Sequence, residues 1–482
     1  MILILGWVFV PFYTRSMVYT MPEFLERRYN PQSRTILSVI SLVSYVLTKV
    51  AVTVYAGGLV FQQVFGIKEL WGIDFFWIAA IGLVVLTALY TIFGGMKSVL
   101  YTSVLQTPIL LLGSLIILVL GFKELGGWDE MMRVCGAVTV NNYGDTMTNL
   151  IRSNDDANFP WLGALIGSAI IGFWYWCTDQ FIVQRVLSGK NEMEARRGTI
   201  FGAYLKLLPV FLFLIPGMIA FALHQKYIGA GGEGFLPMLA NGTANADAAF
   251  PTLVAKLLPA GVKGLVVCGI LAALMSSLAS LFNSSAMLFT IDFYKRFKPE
   301  TPEKKLVGIG QIATVVIVIL GILWIPIMRS VGDVLYTYLQ DVQSVLAPGI
   351  AAAFLLGICW KRTSAKGGMW GLISGMIIGL TRLGAKVYYS NAAVTDSSMF
   401  KYLFYDLNWL FFCGWMFLFC IVVVIVVSLM TEAPSAEKIQ GLVFGTSTPE
   451  QKAATRASWN HWDIIHTVII LAITAAFYWY FW

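Results

Sequence analysis

The chain carries eleven apolar stretches, near 35–65, 74–93, 95–121, 161–184, 199–223, 260–290, 305–326, 330–358, 367–386, 406–430 and 462–482. About twenty apolar residues in a helix cross the hydrocarbon core of a bilayer, where each backbone N–H and C=O must be satisfied within the segment. The pattern therefore predicts an all-α polytopic membrane protein. Only 12% of residues are charged, against about 25% in a soluble domain. The net charge of +7 is then read through loop placement and gives no sign of nucleic-acid binding. Residues 1–13, MILILGWVFVPFY, are too short to span. They lack the basic start and small-residue cleavage site of a signal peptide. They read as a partial span whose beginning lies outside this sequence.

Lysine and arginine set the orientation. Segment 14–34 holds Arg15, Arg27, Arg28 and Arg34; segment 185–198 holds Arg185, Lys190, Arg196 and Arg197. Segment 291–305 holds Lys295, Arg296, Lys298, Lys304 and Lys305, and segment 359–366 holds Lys361, Arg362 and Lys366. With the eleven spans these segments fall on one side, which the positive-inside rule makes cytoplasmic. Segment 431–460 joins them, and the C-terminus is expected on the extracytoplasmic side. The setting is a cell membrane, plasma or inner.

Several chemistries are absent. There is no Gly-x-x-x-x-Gly-Lys-Ser/Thr, no His-Glu-x-x-His and no Gly-x-Ser-x-Gly, so the sequence offers neither a nucleotide motor nor a familiar hydrolase site. The six cysteines are scattered without metal-ligand spacing. An enzyme is not expected, nor an obligate protein partner; the bilayer is the one surrounding partner that composition implies.

Polar residues inside the spans are the informative ones, because an ionisable group in a membrane is costly. In AALMSSLASLFNSSA, residues 272–286, positions 273, 276, 277, 280 and 284 share one helical face. That small, oxygen-bearing face suits either a tightly packed helix or a bound cation or polar solute. Lys49 and Lys206 fall within spans. Lys206 could snorkel to an interface, and Lys49 could meet a structural partner such as a backbone carbonyl. In GFWYWCTDQFIVQR, residues 172–185, Trp174, Tyr175 and Trp176 precede Asp179 and Gln180. The rings suit an interfacial belt or a platform for sugar stacking, and Asp179 and Gln180 could be structural. In LYTYLQDVQSVLAPG, residues 335–349, Gln340, Asp341 and Gln343 open a span; they either face water or bind a hydroxylic solute.

These stretches, with TMPEFLERRY, TKVAV, ALYTIFGGM, YLKLLPVF, PGMIA, IAAAFLLGICWKR and GGMWGLISGMIIGLTR, resemble the sodium/solute symporter family, most closely its sodium–glucose cotransporter branch. The resemblance runs in order from residue 5 to about 385 and is looser beyond. It implies a leucine-transporter-like fold of two inverted five-helix repeats with the site at the midplane. The chain would be one transporter domain over 1–482: a partial span at 1–13, the remaining core helices at 35–358 and additional C-terminal helices at 367–482.

The resemblance also implies site residues. Ala273, Ser276 and Ser277 match the stretch that gives a sodium ion one carbonyl and two hydroxyls. Lys206 and Gln340 match hexose ligands, Tyr175 matches the aromatic that gates the site from inside, and Trp176 matches its neighbour. Tyr336 matches an aromatic gate on the outer side. Lys49 matches a lysine common in the animal-type branch, of less defined role, and is counted with the substrate-binding residues. Two departures matter. The family has chain before LGWVFVPFY that supplies the other half of the sodium site, so the sequence is expected to be truncated. Where two-sodium members read Tyr-Thr-Asp, this chain reads Tyr101-Thr102-Ser103. A second cation site built on Ser103 and Ser280 is therefore expected to be lost.

The expected function is sodium-coupled symport of a sugar or polyol, glucose- or galactose-like, by alternating access, with sodium as co-transported ion. The rivals keep the fold with myo-inositol or another small solute, or make the protein a transport-inactive sensor or a passive channel.

Overall fold

The computed structural model describes residues 1–16, 18, 20–239, 242–331, 334–390 and 398–481, with side chains at all of these except 90, 92–100, 102, 103, 105, 328–331 and 390. Among the described residues ten helices are long and apolar enough to cross a membrane. An eleventh span would come from helices Ile2–Ser16 and Met21–Arg28, which meet at a bend of 69°.

The expected stretches map closely onto helices, with one exception. The two spans near 74–93 and 95–121 run as a single helix, Phe75–Leu125, of 51 residues. Gly94 and Gly95 lower helix propensity without ending a helix, and Pro108 is likewise absorbed. Elsewhere helices run on past the apolar stretches: Pro31–Phe65, Glu192–Gly229 and Ala260–Phe297 continue beyond the apolar residues that predict them.

Helix Leu335–Cys359 is the centre of the molecule. Its apolar window is 83% buried, against 11% for His461–Tyr480 at the periphery. It packs on helices 365–390 and 409–430, and the latter also covers helix 161–173. The crossing with helix 365–390 is backbone to backbone: a Cβ on Gly375 would lie 2.6 Å from the Gly349 Cα. Small residues at such a crossing maximise van der Waals contact where lipid provides no hydrophobic drive. On the opposite flank, helix 260–287 packs along helix 75–125 and against helix 303–331 and the turn at 45–50.

Four of these rods contain a π-turn, at Tyr45–Val50, Trp174–Thr178, Val210–Leu214 and Leu288–Tyr294. A π-turn inserts a residue into the helical ladder and redirects the side chains beyond it.

The basic segments converge on one side, as their loop placement predicts. Arg28 donates to the carbonyls of Gly357 and Trp360, and Arg296 donates to that of Pro31. Lys438 donates to the carbonyl of Glu26, and Arg196 donates to Ser458 Oγ. These bonds tie segments 14–34, 185–198, 291–305, 359–366 and 431–460 into one layer.

Candidate functional site

The aromatic platform sits on the π-turn Trp174–Thr178, which packs against the central helix 335–359. The turn ends at Asp179, whose extended backbone (ψ 125°) breaks the rod before helix Gln180–Leu187 begins. Asp179 caps that helix by accepting from the Phe181 amide at 3.2 Å. The same carboxylate accepts from Tyr45 Oη at 2.9 Å and from Lys49 Nζ. Tyr45 and Lys49 come from the facing π-turn 45–50. A continuous rod with a π-turn and a rod broken at Asp179 are thus joined by one buried polar cluster: Tyr45, Lys49 and Asp179 are all under 9% exposed.

Rings enclose that cluster. The Lys49 ammonium lies 4.5 Å from the Phe181 ring centroid, 4.7 Å from Tyr45 and 5.3 Å from Tyr175. Ring faces favour a cation, and a buried ammonium gains most from them. Lys49 therefore meets a carboxylate and an aromatic cage in place of the carbonyl that sequence reading offers as its partner.

Tyr175 and Trp176 meet edge to face at 5.3 Å. Trp176 in turn carries Lys206, whose ammonium is 5.7 Å from its ring. The aromatic pair therefore stands between two lysines of different character. Lys49 is buried and ion-paired; Lys206 is exposed and has no ion pair among the described residues. Gln180, next to the break, accepts from the Met21 amide at 2.8 Å and so anchors helix 21–28.

On the central helix, Gln340 is half-buried and its Nε2 reaches Tyr336 Oη at 3.4 Å. Tyr336 is 56% exposed. The start of this helix is held from a distant loop: both Asp247 carboxylate oxygens accept from the Leu335 amide, at 3.2 and 3.1 Å. Burial raises the Asp247 carboxyl pKa and the Leu335 amide opposes the rise. Asp341, next along the helix, pairs with Lys386, with Arg382 at 3.7 Å.

The oxygen-bearing face of helix 260–287 is in place. Ser276 is 8% exposed, Ser280 is 2% exposed, and Ala273 and Ser277 are half-buried. Ser280 Oγ donates to the Ser276 carbonyl at 3.0 Å and accepts from Arg185 Nη2. One turn further on, Ser284 donates to Gln184 at 3.2 Å. A guanidinium thus already lies on the hydroxyl that a second cation would use. The Ser103 side chain lies outside the described residues.

The structure gathers Tyr175, Trp176, Lys49 and Lys206 at one turn, places Gln340 with Tyr336 on the helix packed against it, and keeps Ala273, Ser276 and Ser277 on another helix. Sequence reading misses the pairing of Asp179 with Lys49 and of Arg185 with Ser280. The signal for the first is an acid and a base that each stand inside a span.

Residues 1–375 match the model of a sodium:solute symporter family. The human sodium/myo-inositol cotransporter 2 is 36% identical over 457 residues, covering 92% of this chain and 67% of its own. The bovine sodium/mannose cotransporter SLC5A10 is 35% identical over 503 aligned residues, covering 100% of this chain and 83% of its own. The sheep sodium/glucose cotransporter 1 is 37% identical over 449 residues, with 90% and 67% covered. Among solved structures, the substrate-bound outward-open state of a Na+-coupled sialic acid symporter superposes with a TM-score of 0.67. It is 21% identical and covers 90% of this chain and 81% of its own.

Proposed function

The chain belongs to the sodium:solute symporter family, and from that premise we propose that it moves a hexose or polyol across a cell membrane together with one sodium ion. It is a multi-pass membrane transporter of leucine-transporter-like fold, not an enzyme, and sodium is its coupling ion.

The observation that carries the choice of solute is the pairing of Lys206 with the Tyr175–Trp176 platform, on a turn that packs against the helix bearing Gln340. Aromatic faces suit the apolar face of a sugar ring, while an ammonium and an amide suit its hydroxyls. Lys49 stands behind this platform as its support, because its charge is already used by Asp179. We assign Ala273, Ser276 and Ser277 to the sodium ion, a hard cation that takes oxygen ligands. Tyr175 closes the solute from one side and Tyr336 from the other.

The cycle is alternating access. Sodium binding favours the outward-facing state, solute docks, and rocking of the helices releases both inward. Coupling requires that each ligand bind the two states with different affinity. The basic layer is placed on the cytoplasmic side and the C-terminus on the other.

A second reading keeps everything but the solute. The relatives are named for myo-inositol, mannose and glucose at nearly equal identity, so myo-inositol stands beside the hexoses. Sodium-dependent uptake of labelled glucose and of labelled myo-inositol, each competed with glucose, galactose, mannose and myo-inositol, decides between them: uptake of myo-inositol without uptake of the hexose would favour the second reading.

A further inference from the structure

A cavity of mixed polar and apolar lining lies in the basic layer. It measures about 480 Å³ and is lined by Arg28, Ser364, Lys366, Thr431, Ser435 and Lys438, among others. We propose that it binds a phosphate group, carried by an anionic lipid or free in solution.

Arg28 is the first ground. It is 1% exposed. Its Nε donates to the Gly357 carbonyl at 2.7 Å and its Nη2 to the Trp360 carbonyl at 3.1 Å, but its Nη1 has no partner. Among the described residues no carboxylate pairs with it. A guanidinium cannot shed its charge and has five N–H donors to satisfy. Leaving a donor unsatisfied in a buried site costs free energy that an incoming acceptor recovers. Arg362 approaches the same corner with the same deficit: its Nη2 donates to the Thr431 carbonyl at 2.7 Å and its buried Nη1 is unpartnered.

The second ground is the start of helix Ala365–Ser390, which opens at this cavity. Ser364 Oγ accepts from the Gly367 amide at 3.0 Å and shares a hydrogen bond with Thr431 at 2.6 Å. Ala365 and Lys366, the first two residues of the helix, line the cavity, and among the described residues their amides have no partner outside the helix. First-turn amides and the helix dipole together attract an anion.

Charge agrees with both. Arg28, Lys366 and Lys438 line the cavity against one carboxylate, the exposed Glu432. Lys438 already donates to the Glu26 carbonyl at 3.0 Å, which fixes its ammonium in place. A tetrahedral oxyanion offers enough acceptors for a guanidinium edge, two amides and an ammonium together. Met430, which also lines the cavity, is 80% exposed, an apolar border that suits acyl chains.

The test uses the whole protein in phosphate-free, lipid-depleted detergent, with thermal unfolding as readout. The probes are inorganic phosphate and dioctanoyl phosphatidic acid; the controls are chloride at equal ionic strength and dioctanoyl phosphatidylcholine. Phosphatidic acid should raise the midpoint saturably, whereas the controls should not. A matching effect of inorganic phosphate assigns the site to soluble phosphate, and its absence assigns it to a lipid headgroup. Lys366→Glu should raise the half-saturating concentration by about tenfold or more, and Glu432→Gln should lower it. Arg28→Gln should abolish the shift; if that variant does not fold, the exposed Lys366 and Glu432 decide alone. No saturable shift with either probe, or unchanged half-saturation in Lys366→Glu, overturns the proposal.

Discussion

Lys49 and Asp179, 130 residues apart, form a buried ion pair that ties the π-turn at 45–50 to the break after the π-turn at 174–178. Tyr45 and the Phe181 amide donate to the other oxygen of the same carboxylate, so the pair leaves little unsatisfied. Removing one member strands the other, which costs about 3–5 kcal/mol at a buried site. Lys49→Met or Asp179→Asn should therefore lower the melting midpoint sharply and reduce yield. The double variant Lys49→Met/Asp179→Leu should recover part of the loss. Equal loss in single and double variants would show that the pair itself is not the source.

Lys206 and Gln340 should govern solute affinity and leave sodium largely alone. Loss of a hydrogen bond to a charged group costs about 1.5–3 kcal/mol, about tenfold or more in affinity. Lys206→Ala should raise the half-saturating sugar concentration by that factor in uptake assays, and Gln340→Ala, which removes a neutral partner worth about 0.5–1.5 kcal/mol, by about two- to tenfold. Sodium binding measured without sugar should change less. Wild-type sugar affinity in both variants would place the solute elsewhere.

Asp247 should position the outer end of the central helix from 88 residues away. Its carboxylate takes the place of a cap that Val334 cannot supply, and a lost cap costs about 1 kcal/mol. Asp247→Ala should lower both melting midpoint and apparent solute affinity, because Tyr336 and Gln340 follow directly. Asp247→Asn keeps an acceptor and should behave close to wild type. Identical behaviour of the two variants in a thermal and uptake series would count against the tether.

A single sodium ion should accompany each solute. Arg185 donates to Ser280, so a cation of the protein's own meets the hydroxyl expected of a second site, and Ser103 offers no carboxylate. Each extra charge moved is worth about 2.3 kcal/mol per 100 mV, so the count is measurable. Uptake should follow sodium with a Hill coefficient near one, and reversal potentials should give one charge per neutral solute. A two-sodium stoichiometry would refute this.

The membrane architecture was legible because the bilayer imposes a length on each helix, and the loops' lysines and arginines correctly foresaw one basic layer. The fusion of two expected spans into Phe75–Leu125 was not, since Gly94 and Gly95 weaken a helix without specifying whether it stops. Motif resemblance singles out Tyr175, Lys206 and Gln340 one by one, as the residues proposed for the solute. It did not reach Asp179 with Lys49, or Arg185 with Ser280, because partners separated by about a hundred residues are set by how π-turned helices cross, which periodicity does not encode. Asp292 is similar: it stands in an apolar run, and only the fold brings Arg34, Ser38 and Thr20 to it.

The central claim is that sodium drives solute uphill through this molecule. The direct measurement is uptake of labelled hexose into proteoliposomes holding the purified protein, with an inward sodium gradient. Internal solute should rise above the external concentration, and a sodium ionophore should collapse it to equality. Equilibration that ignores the gradient would make the protein a passive channel, and no uptake across the hexose and polyol panel would make it a sensor; either result contradicts the account.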